Sequence, residues 1–393
     1  MAFIENFELI RIPVEFYKTM GQDIFETAKH NRLKSISLKI LLYGGLGNYI
    51  IEYMLQVVFF VLALRSNEYL VAYAVAPSIG FGLVAYFKMM TLHMNRSSIR
   101  DILREFELIY PKTMELQRDY QIEKFYRLLK PIMKLYAGLC LMNTFYYLFF
   151  PLVKSVSACL LFGVKFDFPL PLFIWYPYDP KGNWTLYLLT YGMQLYGSLL
   201  TAVGYLTADL FLVSSVEQLC IHFNYVSLRF EQFEPSSDEN NHRYLARIVK
   251  HHIKCLEISD SVDRIFGFSL FLNFFASSGT LCFVGFQVTS ATIEELLQNI
   301  VLLVTSLSQV FIICFYGNKL IYTSQAVGEA AFGHAWYMCN MEYRRMVALV
   351  ITRSQKMAAI HAPTFPPISL ETFMKVISMA YQFFAVIRTT SDN

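Results

Sequence analysis

Seven long apolar stretches recur along the chain, at about 39–64, 69–94, 133–162, 186–222, 264–288, 296–318 and 366–388. At about 1.5 Å per residue each is long enough to cross a hydrocarbon layer of about 30 Å. Between them the pattern changes to mixed charge at helical spacing. From Asn95 to Lys134, the charges Arg96, Arg100, Arg104, Glu115, Asp119 and Glu123 are interleaved with Ile102, Leu103, Phe106 and Ile109, which predicts helices that run on beyond the membrane. Arg229 to Arg264 and Tyr316 to Met357 read similarly, the first broken once by Pro235-Ser-Ser-Asp-Glu-Asn-Asn241. The prediction is an all-α, seven-transmembrane helical protein with a water-facing anchor layer and no internal repeat. It forms one domain over 1–393: an N-terminal region 1–38, spans one to four over 39–222, a connection over 223–263, spans five and six over 264–318, an anchor region over 319–365, and a last span over 366–388.

The last span has its own pattern. Pro366 and Pro367 cannot sit inside a helix, Ser369 is a natural N-cap, and Glu371 suits the positive end of the helix that follows. At about 100° per residue, Glu371, Lys375, Ser378, Gln382 and Thr389 fall in one narrow band with Ala385 and Val386 at its edges, and the rest is bulky and apolar. Hydrocarbon cannot satisfy such a seam, so it must face protein or water. Packing within the bundle and lining a pore both meet that requirement.

Composition agrees with a polytopic membrane protein: 55% of the 393 residues are hydrophobic and 16% charged, with 35 Phe and 26 Tyr. The distribution of charge sets the orientation. Lys and Arg number 6 up to Lys39, 9 in 95–134, 6 in 222–264 and 5 in 317–365, against 1, 2, 0 and 1 in the alternate segments. That places the N-terminus and the anchor layer in the cytosol and the C-terminus outside. The first 38 residues carry charge throughout and lack the apolar core of a signal peptide. The seven cysteines form no disulfide framework and no pair at metal-ligand spacing, and His251 and His252 read as a solvated face. Phosphate-loop, His-Glu-x-x-His and Gly-x-Ser-x-Gly motifs are absent, so neither an enzyme, a catalytic or metal site, a cofactor nor a nucleic-acid partner is expected.

Ionisable residues inside spans are candidates for function because an unpaired charge in hydrocarbon costs about 3 kcal/mol even on a lenient scale. Lys88 and Glu217 lie near cytosolic ends and are expected to snorkel, whereas Glu52 and Asp209 are expected to join polar contacts between helices. In the outer halves of the middle spans, Tyr73, Pro77, Phe81, Tyr146, Phe150, Met193, Tyr196, Leu199, Phe274, Ser278 and Thr305 fall at similar depth. Aromatic and aliphatic walls with a few hydroxyls suit a small, neutral, aromatic or heterocyclic ligand, although ordinary helix packing uses the same residues. The one substantial outer loop, Val164 to Thr185, is rich in proline and aromatic residues and predicts a folded lid; it ends in the sequon Asn183-Trp-Thr185.

The C-terminal third resembles a known family. Tyr316-Gly-Asn-Lys319, Ser324, Glu329-Ala-Ala-Phe-Gly-His-Ala-Trp-Tyr337, Arg344, Arg345, Pro363, Phe365-Pro-Pro-Ile-Ser-Leu-Glu-Thr-Phe373 and Tyr381-Gln-Phe-Phe-Ala-Val-Ile-Arg388 are similar to the closing signature of insect odorant receptors. The resemblance implies an odorant-gated, non-selective cation channel of the plasma membrane of a sensory neuron dendrite. Four subunits would each place the last span around a central pore, with a shared co-receptor subunit in a heterotetramer, amid membrane lipids and permeating cations. This chain resembles an odour-tuned subunit, since its connection between spans four and five is only about 40 residues. By position the family's hydrophobic gate falls at Val386 with Thr389 or Thr390 one turn on and Gln382 below, while Ser378, Gln382 and Thr389 would meet ions with neutral oxygens. Odorants would bind among spans two to six. The competing expectations are a gustatory receptor of the same superfamily and a G-protein-coupled receptor, which would need the N-terminus outside.

Overall fold

The structure, a computed structural model, describes residues 3–21, 24, 32–290 and 293–391; within them the side chains at 32–39, 70, 288–290, 293–295 and 387–391 are not described. The described residues form helices and connecting turns without a strand: α1 (Asn6–Thr19), α2 (Arg32–Arg65), α3 (Tyr69–Met94), α4 (Arg96–Ile109), α5 (Met114–Asp119), α6 (Ile122–Phe162), α7 (Trp184–Glu231), α8 (Asp238–Ser290), α9 (Ile293–Gly333), α10 (Met341–Gln355) and α11 (Leu370–Ser391). Among them α2, α3, α6, α7, α8 and α9 are long and apolar enough to span a membrane, and the more polar α11 completes a seven-transmembrane fold.

Length explains the second layer. With 41, 48, 53 and 41 residues, α6, α7, α8 and α9 are each about 60 to 80 Å long, twice or more the hydrocarbon thickness. Their surplus turns project on the basic, cytosolic side. α7 is the central post: it touches α1, α2, α3, α6, α8 and α9, and 83% of its most apolar stretch is buried. In α6 only 6% of that stretch is buried, so this helix turns its apolar surface to lipid.

The cytosolic layer is stitched by side chains on backbone. Gln117 clamps Ile4, accepting from its N–H at 3.1 Å and donating to its carbonyl at 2.7 Å, which holds the start of α1 in place. Tyr17 of α1 meets Phe211 of α7 edge-on at 6.0 Å. Glu217 does not snorkel; its side chain is fully buried and bound by Lys319 of α9 at 2.6 and 2.8 Å. Beyond α9, the Arg344 guanidinium donates to the carbonyls of Cys339 and Tyr337 at 2.9 and 2.6 Å, and His334 bridges Ala331 and Tyr343. Ser324 Oγ accepts from Ala358 N–H at 3.1 Å as the chain turns back toward the membrane. Gly317 then lets that returning chain approach: a Cβ there would lie 2.5 Å from the Ile368 carbonyl oxygen. α11 begins two residues later, with Thr372 Oγ1 accepting from Ser369 N–H at 3.3 Å, half of a capping box.

The two adjacent histidines expected on a solvated face are packed instead. His252 is 3% exposed and meets Phe223, while His251 lies among Tyr120, Tyr225 and His222. Hydrophobic periodicity misses them because their neighbours are aromatic residues distant in sequence. Burial pushes both imidazoles down to about 4, with Arg353 also disfavouring the cation at His252. Both are therefore neutral when folded, and the unfolded chain binds more protons between about pH 6.5 and 4. Stability is complete above that window and declines on acidification, by roughly 2 kcal/mol per histidine at pH 5. Thermal unfolding in detergent should show a lower Tm at pH 5 than at pH 7, and His251→Gln/His252→Gln should narrow the difference; a pH-independent Tm would contradict this.

Candidate functional site

Above the cytosolic layer, in the outer half of the bundle, the structure holds a cavity of about 150 Å³. An engineered apolar cavity of about that volume accepts benzene, so the space suits one molecule of ring size. Its walls come from α2 (Tyr49, Glu52, Tyr53), α3 (Pro77, Phe81), α6 (Asn143, Tyr147), α7 (Ser198, Ala202, Tyr205), α8 (Asn273, Ser277, Thr280) and α9 (Leu302, Ser306). Phe81 stacks on Tyr205 at 4.6 Å, and Gln56 donates to Ser78 at 2.9 Å. Pro77 shapes α3 here: lacking an N–H, it leaves the Tyr73 carbonyl without its helical donor, and Gln287 of α8 supplies one at 2.9 Å. Glu52 enters the wall because residue 197 is glycine; a Cβ there would meet Glu52 Oε2 at 2.5 Å. Glu52 Oε1 and Asn143 Oδ1 are buried acceptors without a described partner.

The loop between α6 and α7 closes the outer end. Gln194 of α7, 0% exposed, accepts from Leu172 N–H at 3.1 Å and donates to the Leu172 carbonyl and to Tyr176 Oη at 3.3 and 3.0 Å. Tyr187 donates to the Pro169 carbonyl at 2.9 Å, and Phe166, Phe168, Trp184 and Tyr187 pack ring against ring. These contacts hold Leu172 and Ile174 over the cavity. Asn183 caps α7, its Oδ1 accepting from Leu186 N–H at 2.8 Å.

The inner end is polar. Lys88 of α3, 1% exposed, pairs with Asp209 of α7 at 2.7 and 2.9 Å, and its ammonium lies 3.5 Å from the centre of the Tyr205 ring. Tyr136 of α6 donates to Asp209 at 2.7 Å. Gln309 of α9 donates through Nε2 to Asp209 at 3.1 Å and to Asn273 Oδ1 of α8 at 2.9 Å, and Tyr205 Oη completes the pattern on Asn273 Oδ1 at 3.1 Å. Five helices are thus joined through one ion pair just beneath the cavity. Lys88 was expected to snorkel from near the cytosolic end of its span; its acid partner on α7 makes burial the better solution.

α11 lies to one side, packed on α8 and α9. Thr372, Val376 and Ala380 are buried, Phe373 meets Phe311 at 5.6 Å, and Phe384 packs against Gly285. On the opposite face Glu371 and Lys375 form an exposed pair at 2.7 Å, and Ser378, Gln382 and Val386 are exposed, Val386 by 62%. The polar seam therefore points away from its own bundle. The side chains of Thr389 and Thr390 lie outside the described residues.

A family model for the seven-span odorant receptor matches residues 71–381. Odorant receptor 67c of Drosophila melanogaster is 41% identical over 390 residues, covering 98% of this chain and 96% of that one. The chain belongs to the insect odorant receptor family. Putative odorant receptor 92a of the same fly is 36% identical, covering 98% of this chain and 95% of its own length. The olfactory receptor OR5 of Machilis hrabei has the same fold, with a TM-score of 0.79 at 13% identity over 96% of this chain and 97% of that one. The structure of OR5 in complex with eugenol aligns with a TM-score of 0.82, also at 13% identity, over 97% of both chains.

In this odorant receptor Pro77 and Phe81 line the cavity. Leu199, Phe274, Ser278 and Thr305 stand one residue from the lining residues Ser198, Asn273, Ser277 and Ser306; Tyr146 is likewise next to Tyr147. One residue on a helix is a rotation of about 100°, so these side chains share the depth and face elsewhere. Tyr146 and Phe150 stack on each other at 4.8 Å, Phe274 meets Phe365 at 5.6 Å, and Ser278 and Thr305 donate to their own helix carbonyls. Tyr73 packs on Phe283 and Phe286, Met193 is 37% exposed, and Tyr196 donates to the Leu41 carbonyl at 2.5 Å. The α2 wall and the amides Asn143 and Asn273 were not expected. Their signal was isolated polar residues inside apolar spans.

Leaving one partner of the Lys88–Asp209 pair alone in the bundle should cost about 3–5 kcal/mol. Asp209→Leu should abolish surface delivery of an epitope-tagged receptor, and Lys88→Met/Asp209→Leu should restore much of it. Equal delivery of the single and double variants would contradict the pairing.

Proposed function

We propose that this receptor is the odour-tuned subunit of a cation channel in the plasma membrane, opened when a small neutral volatile occupies the outer cavity. The single observation that carries the proposal is the shared helix α8: its Asn273, Ser277 and Thr280 line the cavity, and its other side carries α11. Phe274, one position from Asn273, contacts Phe365 at 5.6 Å, just ahead of α11. A ligand that favours a different rotation of α8 shifts α11 with it. It does so only by its difference in affinity for the two arrangements.

In this reading α11 lines the pore. Its seam faces away from the bundle, where copies of the chain or of a co-receptor subunit around a symmetry axis would meet it in a heterotetramer. Ser378, Gln382 and Thr389 would offer neutral oxygens to passing cations, consistent with weak selectivity, and Val386, with Thr389 or Thr390 one turn on, would close the path by excluding water. The cavity walls, rich in rings and small in volume, favour a compact ligand, aromatic ones included.

Ala202, 7% exposed, lies on the cavity wall, and an indole placed there would occupy most of the space. Recorded with a co-receptor subunit against an odour panel, Ala202→Trp should reach the surface and lose at least about tenfold in sensitivity. Val386→Ala should raise the current that flows without odorant. Unchanged dose–response curves for the first variant and an unchanged resting current for the second would contradict the assignments.

A further inference from the structure

The polar knot beneath the cavity does more than join helices, because it fixes the direction of every hydrogen bond up to the cavity floor. A carboxylate only accepts, so Gln309 must turn its NH₂ group toward Asp209. That group has a second hydrogen, which goes to Asn273. Asn273 therefore presents Oδ1 downward, where Tyr205 Oη also donates to it. Turning the amide over would set its NH₂ against the Gln309 NH₂, donor against donor. The nitrogen of Asn273 is left on the side away from both donors. It is buried, the residue is 0% exposed, it lines the cavity, and Nδ2 has no partner among the described residues.

We propose that Asn273 Nδ2 is the polar determinant of ligand choice, donating to an acceptor oxygen on the odorant, so that the receptor is tuned to small carbonyl or ether compounds rather than hydrocarbons of the same shape. This rests on the outer cavity being the odorant site. A buried donor left unpaired loses free energy that an acceptor on the ligand recovers, whereas a hydrocarbon leaves the loss in place. Of the other unpartnered atoms on the walls, Asn143 Oδ1 only accepts, and Glu52 serves a ligand oxygen only when its carboxyl is protonated. Asn273 is supplied with its orientation from below, so its donor is set before any ligand arrives.

The test uses pairs of ligands that differ only in C=O against C=CH₂: acetophenone with α-methylstyrene, and cyclohexanone with methylenecyclohexane. Half-maximal concentrations are measured for the receptor with its co-receptor subunit and normalised to each compound's partition from water into cyclohexane, where neither compound has a hydrogen-bond partner. The carbonyl member should be favoured by about tenfold after normalisation, the worth of one buried hydrogen bond. Asn273→Leu should shrink that preference to about twofold or less. The wild-type measurement stands even if the variant fails to reach the surface. No preference in the wild type, a preference that survives in a surface-delivered Asn273→Leu, or a panel in which other volatiles evoke current and no carbonyl does, would each overturn the proposal. Responses that persist in Ala202→Trp would instead place the odorant outside the cavity, a different failure.

Discussion

The ion pair of Lys88 with Asp209 is the constraint around which the bundle is arranged. Two opposite charges deep among apolar helices are tolerable only when each is fully met, and here the carboxylate is met by α3, α6 and α9 at once. The helices cannot rotate independently without stranding a charge. α7 carries this pair between two other buried polar residues. Gln194, fifteen positions and about 23 Å toward the outside, fastens the lid, and Glu217, two turns toward the cytosol, receives Lys319. One helix thus sets the roof of the cavity, its floor and the start of the anchor.

The same arrangement explains why a cavity survives in the outer half. Below Asp209 the long helices are packed by aromatic and aliphatic side chains at close spacing, with Tyr17, Phe211 and Phe223 fully buried. Above it the floor is Tyr205 and Asn273, fixed by hydrogen bonds to each other and to Gln309 beneath, and the lid is held by its own contacts to α7. Close approaches fix the walls around it: a Cβ at Gly82 would lie 2.9 Å from Tyr49 Oη, and one at Gly197 2.5 Å from Glu52 Oε2. α11 is reached through a path equally fixed, by Arg344, Ser324 and the close pass of Ile368 at Gly317.

Much of the fold was legible. Hydropathy and charge bias report directly on the solvent each segment meets, so the spans, their order and the surplus cytosolic turns followed from the pattern of residues. The seam on α11 was legible for the same reason: Ser378 and Gln382 break an otherwise apolar helix. What the pattern could not supply was rotation. In a membrane the lipid-facing and cavity-facing sides of a helix are both apolar, so Tyr146 and Tyr147, or Phe274 and Asn273, differ by 100° with no amphipathic stripe to decide between them. Lys88 read as a snorkelling residue because its partner lies 121 positions away, and the buried histidines were masked by the polar residues beside them. The C-terminal wording carried the family because several of its residues, among them Gly317, Lys319, His334 and Arg344, hold backbone or buried charge in place.

The central claim is that α11 lines a water-filled path controlled from the cavity. It is tested most directly by placing a cysteine at Gln382 and measuring the rate at which a charged, membrane-impermeant thiol reagent in the outer bath blocks current, with and without an activating odorant. The account predicts modification that is slow at rest and at least about tenfold faster when odorant is present, with current falling as it proceeds. A rate that ignores the odorant, or modification that leaves the current intact, would contradict it.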